Sequence, residues 1–192
     1  MRIISGAARG RNLFTLKGLN TRPTADRVKE AMFSVLSERL PGARVLDAFA
    51  GSAALGLEAL SRGAASALFF EADARAAQVC RRNIELCGLA GCRLIRGDCL
   101  KLLPRLQQEE ETLRFDLVFA DPPYNRGLLP RLMSLLADGL LTPQGLLVAE
   151  TTARESEFAP GDRWQVLKSS VYGSTAVHYC QLKAIEIKED TP

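Results

Sequence analysis

The chain has 192 residues, 47% of them hydrophobic and 24% charged, which suits an ordinary buried core in one globular domain. No apolar run approaches the length of a membrane span, and the opening 1–6 is too short and too polar for a signal peptide, so a soluble cytoplasmic protein with no membrane partner is expected. The net charge of +3 is uneven: residues 1–29 hold Arg2, Arg9, Arg11, Lys17, Arg22, Arg27 and Lys29 against Asp26 alone, so this segment is +6 and the remainder −3. A basic end on a near-neutral body is the footprint of a polyanion partner, or else a solvated arm. Five cysteines (Cys80, Cys87, Cys92, Cys99, Cys180) without C-x-x-C spacing, and a single histidine, His178, argue against a disulfide framework and against a metal centre.

In chain order, residues 2–4 and 12–16 read as short β pieces separated by Gly6 and Gly10. Thr24 is placed to cap a helix running to about Leu40, with Val28, Met32, Val35 and Leu36 on one face, ended by Pro41 and Gly42. Strands are then expected at 44–47, 67–71, 93–95, 115–120 and 145–150, and helices at 53–61, 74–87, 100–107 and 127–138. The 74–87 helix would turn Ala76, Val79, Cys80, Ile84 and Cys87 inward. Residues 164–172 and 175–183 read as an antiparallel pair around Gly173 and Ser174. This alternation predicts an α/β fold: a mostly parallel seven-stranded sheet covered on both faces, with a C-terminal antiparallel pair and a short N-terminal β/helix extension.

Ligands of such sheets sit at the carboxyl ends of the strands, and Asp47, Glu71, Asp98 and Asp121 all fall there. After the first strand, the turn from Asp47 to Gly56 carries Gly51 and Gly56 but has Ala53 where a dinucleotide fingerprint has its middle glycine. It also has Leu57 and Glu58 where a phosphate-binding loop has Lys and Ser/Thr. Phosphate-rich cofactors are thereby disfavoured. Glu71 is placed to accept from ribose hydroxyls and Asp98 from an adenine amine, so a nucleoside with a cationic substituent, such as S-adenosylmethionine, fits the acidic rim. Asp121-Pro122-Pro123-Tyr124 closes the fourth core strand. The prolines fix the backbone and remove donors, leaving the Asp121 carboxylate and the Pro122 carbonyl as acceptors and Tyr124 as a stacking face. Such a pocket suits a flat base presenting an amino group.

These motifs resemble those of the ribosomal RNA small-subunit methyltransferase D family. The resemblance rests on Arg2-Ile-Ile-Ser-Gly6, Arg9-Gly-Arg11, Arg22-Pro-Thr-Ala-Asp-Arg-Val-Lys-Glu30, the loop from Asp47 to Gly56 with Leu57-Glu-Ala-Leu-Ser-Arg62, and Asp121 to Tyr124. It implies a Rossmann-like class I S-adenosylmethionine-dependent methyltransferase, a single domain over 1–192 with a basic extension and helix (1–40) before the catalytic core (41–192). It further implies transfer of a methyl group to the N2 amine of a guanine in 16S ribosomal RNA, with the small ribosomal subunit as partner, no metal, and a monomeric state. Asp121, Pro122 and Tyr124 would be catalytic. Asp47, Phe49, Gly51, Ser52, Gly56, Glu71, Asp98 and Asp121 would bind the cofactor. Arg2, Arg9, Arg11, Lys17, Arg22, Thr24 and Arg27 would hold RNA. The family has glycine where this chain has Ala53. Two rival readings share the pocket: an adenine or cytosine amino-methyltransferase of DNA, and a non-enzymatic ribosome-assembly RNA binder.

Overall fold

The computed structural model describes residues 1–16, 23–123, 126–153 and 158–184, without the side chains of 23–25. Its strands are β1 (Arg44–Asp47), β2 (Ser66–Glu71), β3 (Cys92–Arg96), β4 (Phe115–Ala120), β5 (Leu141–Thr152), β6 (Trp164–Tyr172) and β7 (Thr175–Leu182). They form one seven-stranded sheet in the order β3-β2-β1-β4-β5-β7-β6. The first five run parallel, while β7 is antiparallel to both β5 and β6. The helices are α1 (Pro23–Val35), α2 (Ala54–Ser61), α3 (Ala74–Cys87), α4 (Cys99–Glu109) and α5 (Leu128–Leu135). The strand order reverses between β1 and β4, which puts a crevice at their carboxyl ends.

Both faces of the central strands β1, β2, β4 and β5 are covered, which explains their apolar runs, whereas the edge strand β6 is largely exposed. In β2, Ala67 and Phe69 pack with Phe33, Leu57 and Cys80 on one side, while Leu68 and Phe70 pack with Leu100, Leu103 and Leu132 on the other. Helix starts follow local chemistry: Asp73 caps α3 by accepting from the N–H groups of Arg75 and Ala76, and Gly88 closes it at φ +62°. The five cysteines are free thiols, and burial pushes Cys80 and Cys180 up to about 12. His178 lies between the hydroxyls of Thr151 and Ser169 and stacks on Phe158 at 4.3 Å.

Several boundaries differ from expectation. Helix α1 starts at Pro23, so Thr24 sits inside the first turn rather than at the cap, as the fixed φ of an initial proline favours. It stops at Val35 and gives way to a 3-10 turn at Ser37–Arg39. Val35 is 40% exposed, because the buried stripe runs through Val28, Lys29, Met32, Phe33 and Leu36 and leaves Val35 about a quarter-turn away. Strand β5 begins at Leu141, well before 145: Leu141 pairs with Phe115, the register then shifts, and Leu146 pairs with Leu117. The turn-like Thr142-Pro143-Gln144-Gly145 is accommodated as this irregularity.

The N-terminal segment is tied to the core through Glu58 of α2, which is fully buried. Its carboxylate accepts from the N–H groups of Ile4 and Ser5 at 2.8 and 3.1 Å, from Lys29 Nζ at 3.1 Å and from Arg62 Nε at 2.8 Å. Lys29 also donates to the Arg2 carbonyl. This cation, counted in the basic segment, is therefore only 4% exposed and belongs to the scaffold. A buried charge so paired is costly to break from either side.

Candidate active site

The crevice opens as a cavity of about 530 Å³ at the carboxyl edge of β1, β4 and β5. Its cofactor-like side is the β1–α2 turn. Asp47, 3% exposed at the end of β1, accepts the Gly56 N–H at 3.0 Å. Gly56 itself does not line the cavity. A Cβ there would stand 2.2 Å from the Phe69 ring, so the glycine serves the close approach of α2 to β2. Glu71 fastens the turn from the next strand: one oxygen accepts the Gly51 N–H and the other the Asp73 N–H, each at 2.8 Å. Ala53, at φ +64°, holds the left-handed conformation that a glycine adopts without cost, and its methyl is buried.

A residue that no motif flagged completes this side. Asn83 of α3 is fully buried; its Oδ1 accepts the Phe14 N–H at 2.8 Å, and its Nδ2 donates to the carbonyls of Phe14 at 2.9 Å and Ser52 at 2.8 Å. One amide therefore links the N-terminal segment, whose expected β pieces reduce to a single bridge between Arg2 and Asn12, to the glycine turn. Thr15 and Leu16, which follow Phe14, line the cavity with Phe49, Gly51, Ser52 and Val79. The only sign in the sequence is an asparagine on the inward face of an otherwise apolar helix stripe.

The opposite side is formed by Asp121 after β4, Glu150 on β5 and the β6–β7 turn from Tyr172 to Thr175. The register pairs Asp47 with Phe119 and Ala120 with Ala149, which sets Asp47, Asp121 and Glu150 along one edge. Asp121 keeps solvent access, yet the protein around it raises its carboxyl from 3.8 to about 6 by desolvation. Burial, opposed by the Gly56 hydrogen bond and aided by the charges of Asp121 and Glu71, raises Asp47 to about 7. Burial and then the charges of Asp121 and Asp47 raise Glu150 to about 8. Three carboxyl groups crowded on one edge oppose one another's ionisation, which favours a ligand that brings a cation or N–H donors.

Pro122 is buried beside Asp121. Asp98 caps α4 by accepting the Leu100 N–H at 3.0 Å, and neither it nor Glu71 lines the cavity. Arg2, Arg9, Arg11 and Arg27 are exposed, and Arg11 also donates to the Leu86 carbonyl at 2.7 Å. Tyr124, Lys17 and Arg22 lie outside the described residues, as does the side chain of Thr24. Among the described residues, no helix is long and apolar enough to cross a membrane, and no three His, Cys, Asp or Glu side chains group as metal ligands.

Sheet order, switch-point cavity and acidic rim define the Rossmann-like fold of S-adenosylmethionine-dependent methyltransferases. The profile of the family described as Conserved hypothetical protein 95 matches residues 1–181. Ribosomal RNA small subunit methyltransferase D of Escherichia coli strain K12 is 35% identical over 185 residues, covering 96% of this chain and 91% of that protein. The Haemophilus influenzae protein of the same name is 36% identical over 176 residues, covering 90% and 89%. The solved structure of yhhF from Escherichia coli superimposes with a TM-score of 0.83 at 33% identity, covering 96% of this chain and 98% of that one. The chain belongs to the ribosomal RNA small-subunit methyltransferase D family.

Proposed function

We propose that this protein transfers a methyl group from S-adenosylmethionine to the exocyclic N2 amine of a guanine in 16S ribosomal RNA, within an assembled or assembling small subunit. The observation that carries the reading is the pairing, in one cavity, of the Asp47–Gly51 turn with Asp121 at the end of β4. Family membership supports ribosomal RNA as the substrate. The reading has the enzyme work as a monomer in the cytoplasm, without a metal.

The residues present fit the cofactor. The cavity volume lies within the usual range for small-molecule sites, about 300–1,000 Å³, and its acidic lining suits a sulfonium and an ammonium. Asp47, Phe49, Gly51 and Ser52 would hold it. Glu71, with lone pairs left after its two backbone bonds, would accept from ribose hydroxyls, and Asp98 would accept at the adenine. Gly56 would serve by seating α2. When bound, the sulfonium supplies an activated methyl group, so the protein's task is to position and polarise the amine.

Guanine N2 is a weak nucleophile because its lone pair is delocalised into the ring. Asp121 and the Pro122 carbonyl accept its two N–H groups and localise that pair toward the methyl donor. They also stabilise the positive charge that grows on nitrogen. The amine becomes strongly acidic only as the bond forms, so Asp121 can take the departing proton without being a strong base. Tyr124 stacks on the extruded base. Arg2, Arg9, Arg11, Lys17, Arg22, Thr24 and Arg27 hold the surrounding RNA, the cations by its phosphates.

The test is methyl transfer from labelled S-adenosylmethionine to naked 16S RNA, to small subunits and to DNA, followed by identification of the modified nucleoside. N2-methylguanosine from RNA or subunits is the expected product. A methylated adenine or cytosine in DNA, or cofactor binding with no transfer to any of the three, would overturn the proposal.

A further inference from the structure

Of the three carboxylates lining the cavity, Glu150 is the one left without a task. Its place in the sheet is well defined. Ala149 of β5 pairs with Ala120 of β4, so Glu150 and Asp121 follow as lateral neighbours on strands that lie about 4.8 Å apart. The glycine turn follows β1, and the sheet runs β1-β4-β5-β7, so Glu150 lies beyond Asp121 on the side away from that turn. Its other neighbour is the tip of the β6–β7 hairpin, where Tyr172, Gly173, Ser174 and Thr175 form the cavity wall. A base whose amino group meets Asp121 therefore lies with its flank against Glu150.

The Glu150 side chain is half-buried, lines the cavity and makes no hydrogen bond to the described residues. Close by, the Tyr179 hydroxyl is buried with no hydrogen-bond partner among the described residues, and burial, then the charges of Tyr172 and Glu150, raise its pKa. A half-buried carboxylate that lines a cavity and has no protein donor is open to a donor brought by a ligand. The bases differ in what they bring beside the reactive amine. In guanine, N2 is flanked by N1–H, a donor, and by N3, an acceptor. In adenine and cytosine the ring nitrogen next to the amine is an acceptor only, and the other neighbour is carbon.

Building on the guanine-N2 reading above, we propose that Glu150 is the specificity-determining residue of the base pocket: its carboxylate accepts the N1–H of the target guanine while Asp121 and Pro122 take the adjacent amine. Adenine or cytosine placed the same way would set a ring-nitrogen lone pair against this carboxylate in the ionised form that a bound cationic cofactor favours. A site built to receive an N–H rejects a base that lacks it far more strongly than a shape-selective pocket does.

The experiment uses the full chain and small-subunit RNA whose methylated guanine, located by product mapping, is replaced by 2-aminopurine, which keeps the 2-amine but has no N1–H. Single-turnover rates on the two substrates should differ by about tenfold to a hundredfold in the wild type. In Glu150→Ala the guanine rate should fall to near that of 2-aminopurine, so that the ratio collapses. Glu150→Gln, whose amide oxygen still accepts, should retain part of the preference and controls for folding. Cofactor affinity, read by calorimetry, should stay within about threefold in both variants, a change far smaller than the tenfold that one lost ligand hydrogen bond produces. An unchanged guanine to 2-aminopurine ratio in a folded Glu150→Ala would overturn the assignment. So would a loss of cofactor affinity that matches the loss of rate, since Glu150 would then serve the cation. A wild type that methylates no guanine N2 is recognised at the mapping step and removes the underlying reading itself.

Discussion

The two sides of the cavity are built differently. On the glycine-turn side nearly every polar group is already bonded: Glu71 to Gly51 and Asp73, Asp47 to Gly56, and Asn83 to Phe14 and Ser52. On the side of β4 and β5, Asp121 and Glu150 face the cavity with raised pKa values and no described hydrogen-bond donor. One side is finished by the chain, and the other is left for a ligand to finish. Preorganisation lowers the cost of binding on the first side, whereas the acceptors on the second are free of protein donors and open to N–H groups that a ligand brings.

The sharpest break in this contrast is Asp121→Ala. If Asp121 acts on the amine, turnover should fall by about a hundredfold or more while KM changes little. Single-turnover kinetics at saturating cofactor measure it, and a near-normal rate would remove Asp121 from the mechanism. Next is Asn83→Ala on the finished side. It leaves two carbonyls and one N–H unpaired, so it should cost about 1–3 kcal/mol of stability. It should also loosen the glycine turn and weaken cofactor binding by about tenfold. Thermal unfolding and calorimetry read the two effects separately.

A smaller effect comes from Glu150→Gln in the ligand-free protein. The unfolded carboxyl ionises near 4.5, whereas the folded one keeps its proton until about 8. The folded state is thus penalised progressively as pH rises between those values, and the penalty is complete above the upper one. The amide should therefore stabilise the apo protein at pH 8.5 and hardly at all at pH 4. Unfolding curves at the two pH values check the sign. The smallest effect is expected for Ala53→Gly. Relief of a left-handed alanine, about 1–2 kcal/mol, is offset by a lost buried methyl and a looser unfolded chain. A net change under about 1 kcal/mol is expected, with cofactor affinity kept; a large loss in either would mean that the methyl shapes the turn.

The same division governs what the sequence made legible. Strand–helix alternation showed because each core strand is covered on both faces and reads as an apolar run, as in Ala67–Phe70. Asp47 and Asp121 stood out because they interrupt such runs at strand ends. Glu150 also ends an apolar run, but its meaning depends on the β4–β5 register and on a hairpin some twenty residues further on, which are long-range pairings. Asn83 was hidden because its partners, Phe14 and Ser52, lie 69 and 31 residues away. Glu58 and Lys29 were equally opaque: on a helix face a charge reads as solvated, and only packing of the N-terminal segment turned these two into a buried pair. The early start of β5 was masked by Pro143 and Gly145, whose local preference is for a turn.

The most direct test of the contrast is a calorimetric titration of S-adenosylmethionine into the wild type, Glu71→Ala and Asp121→Ala, without RNA. A cofactor site completed on the glycine-turn side predicts that Glu71→Ala weakens binding by about 1–3 kcal/mol, whereas Asp121→Ala binds within about threefold of the wild type. Unchanged affinity in a folded Glu71→Ala, together with lost affinity in Asp121→Ala, would contradict it, because the cofactor would then be held from the side assigned here to the base.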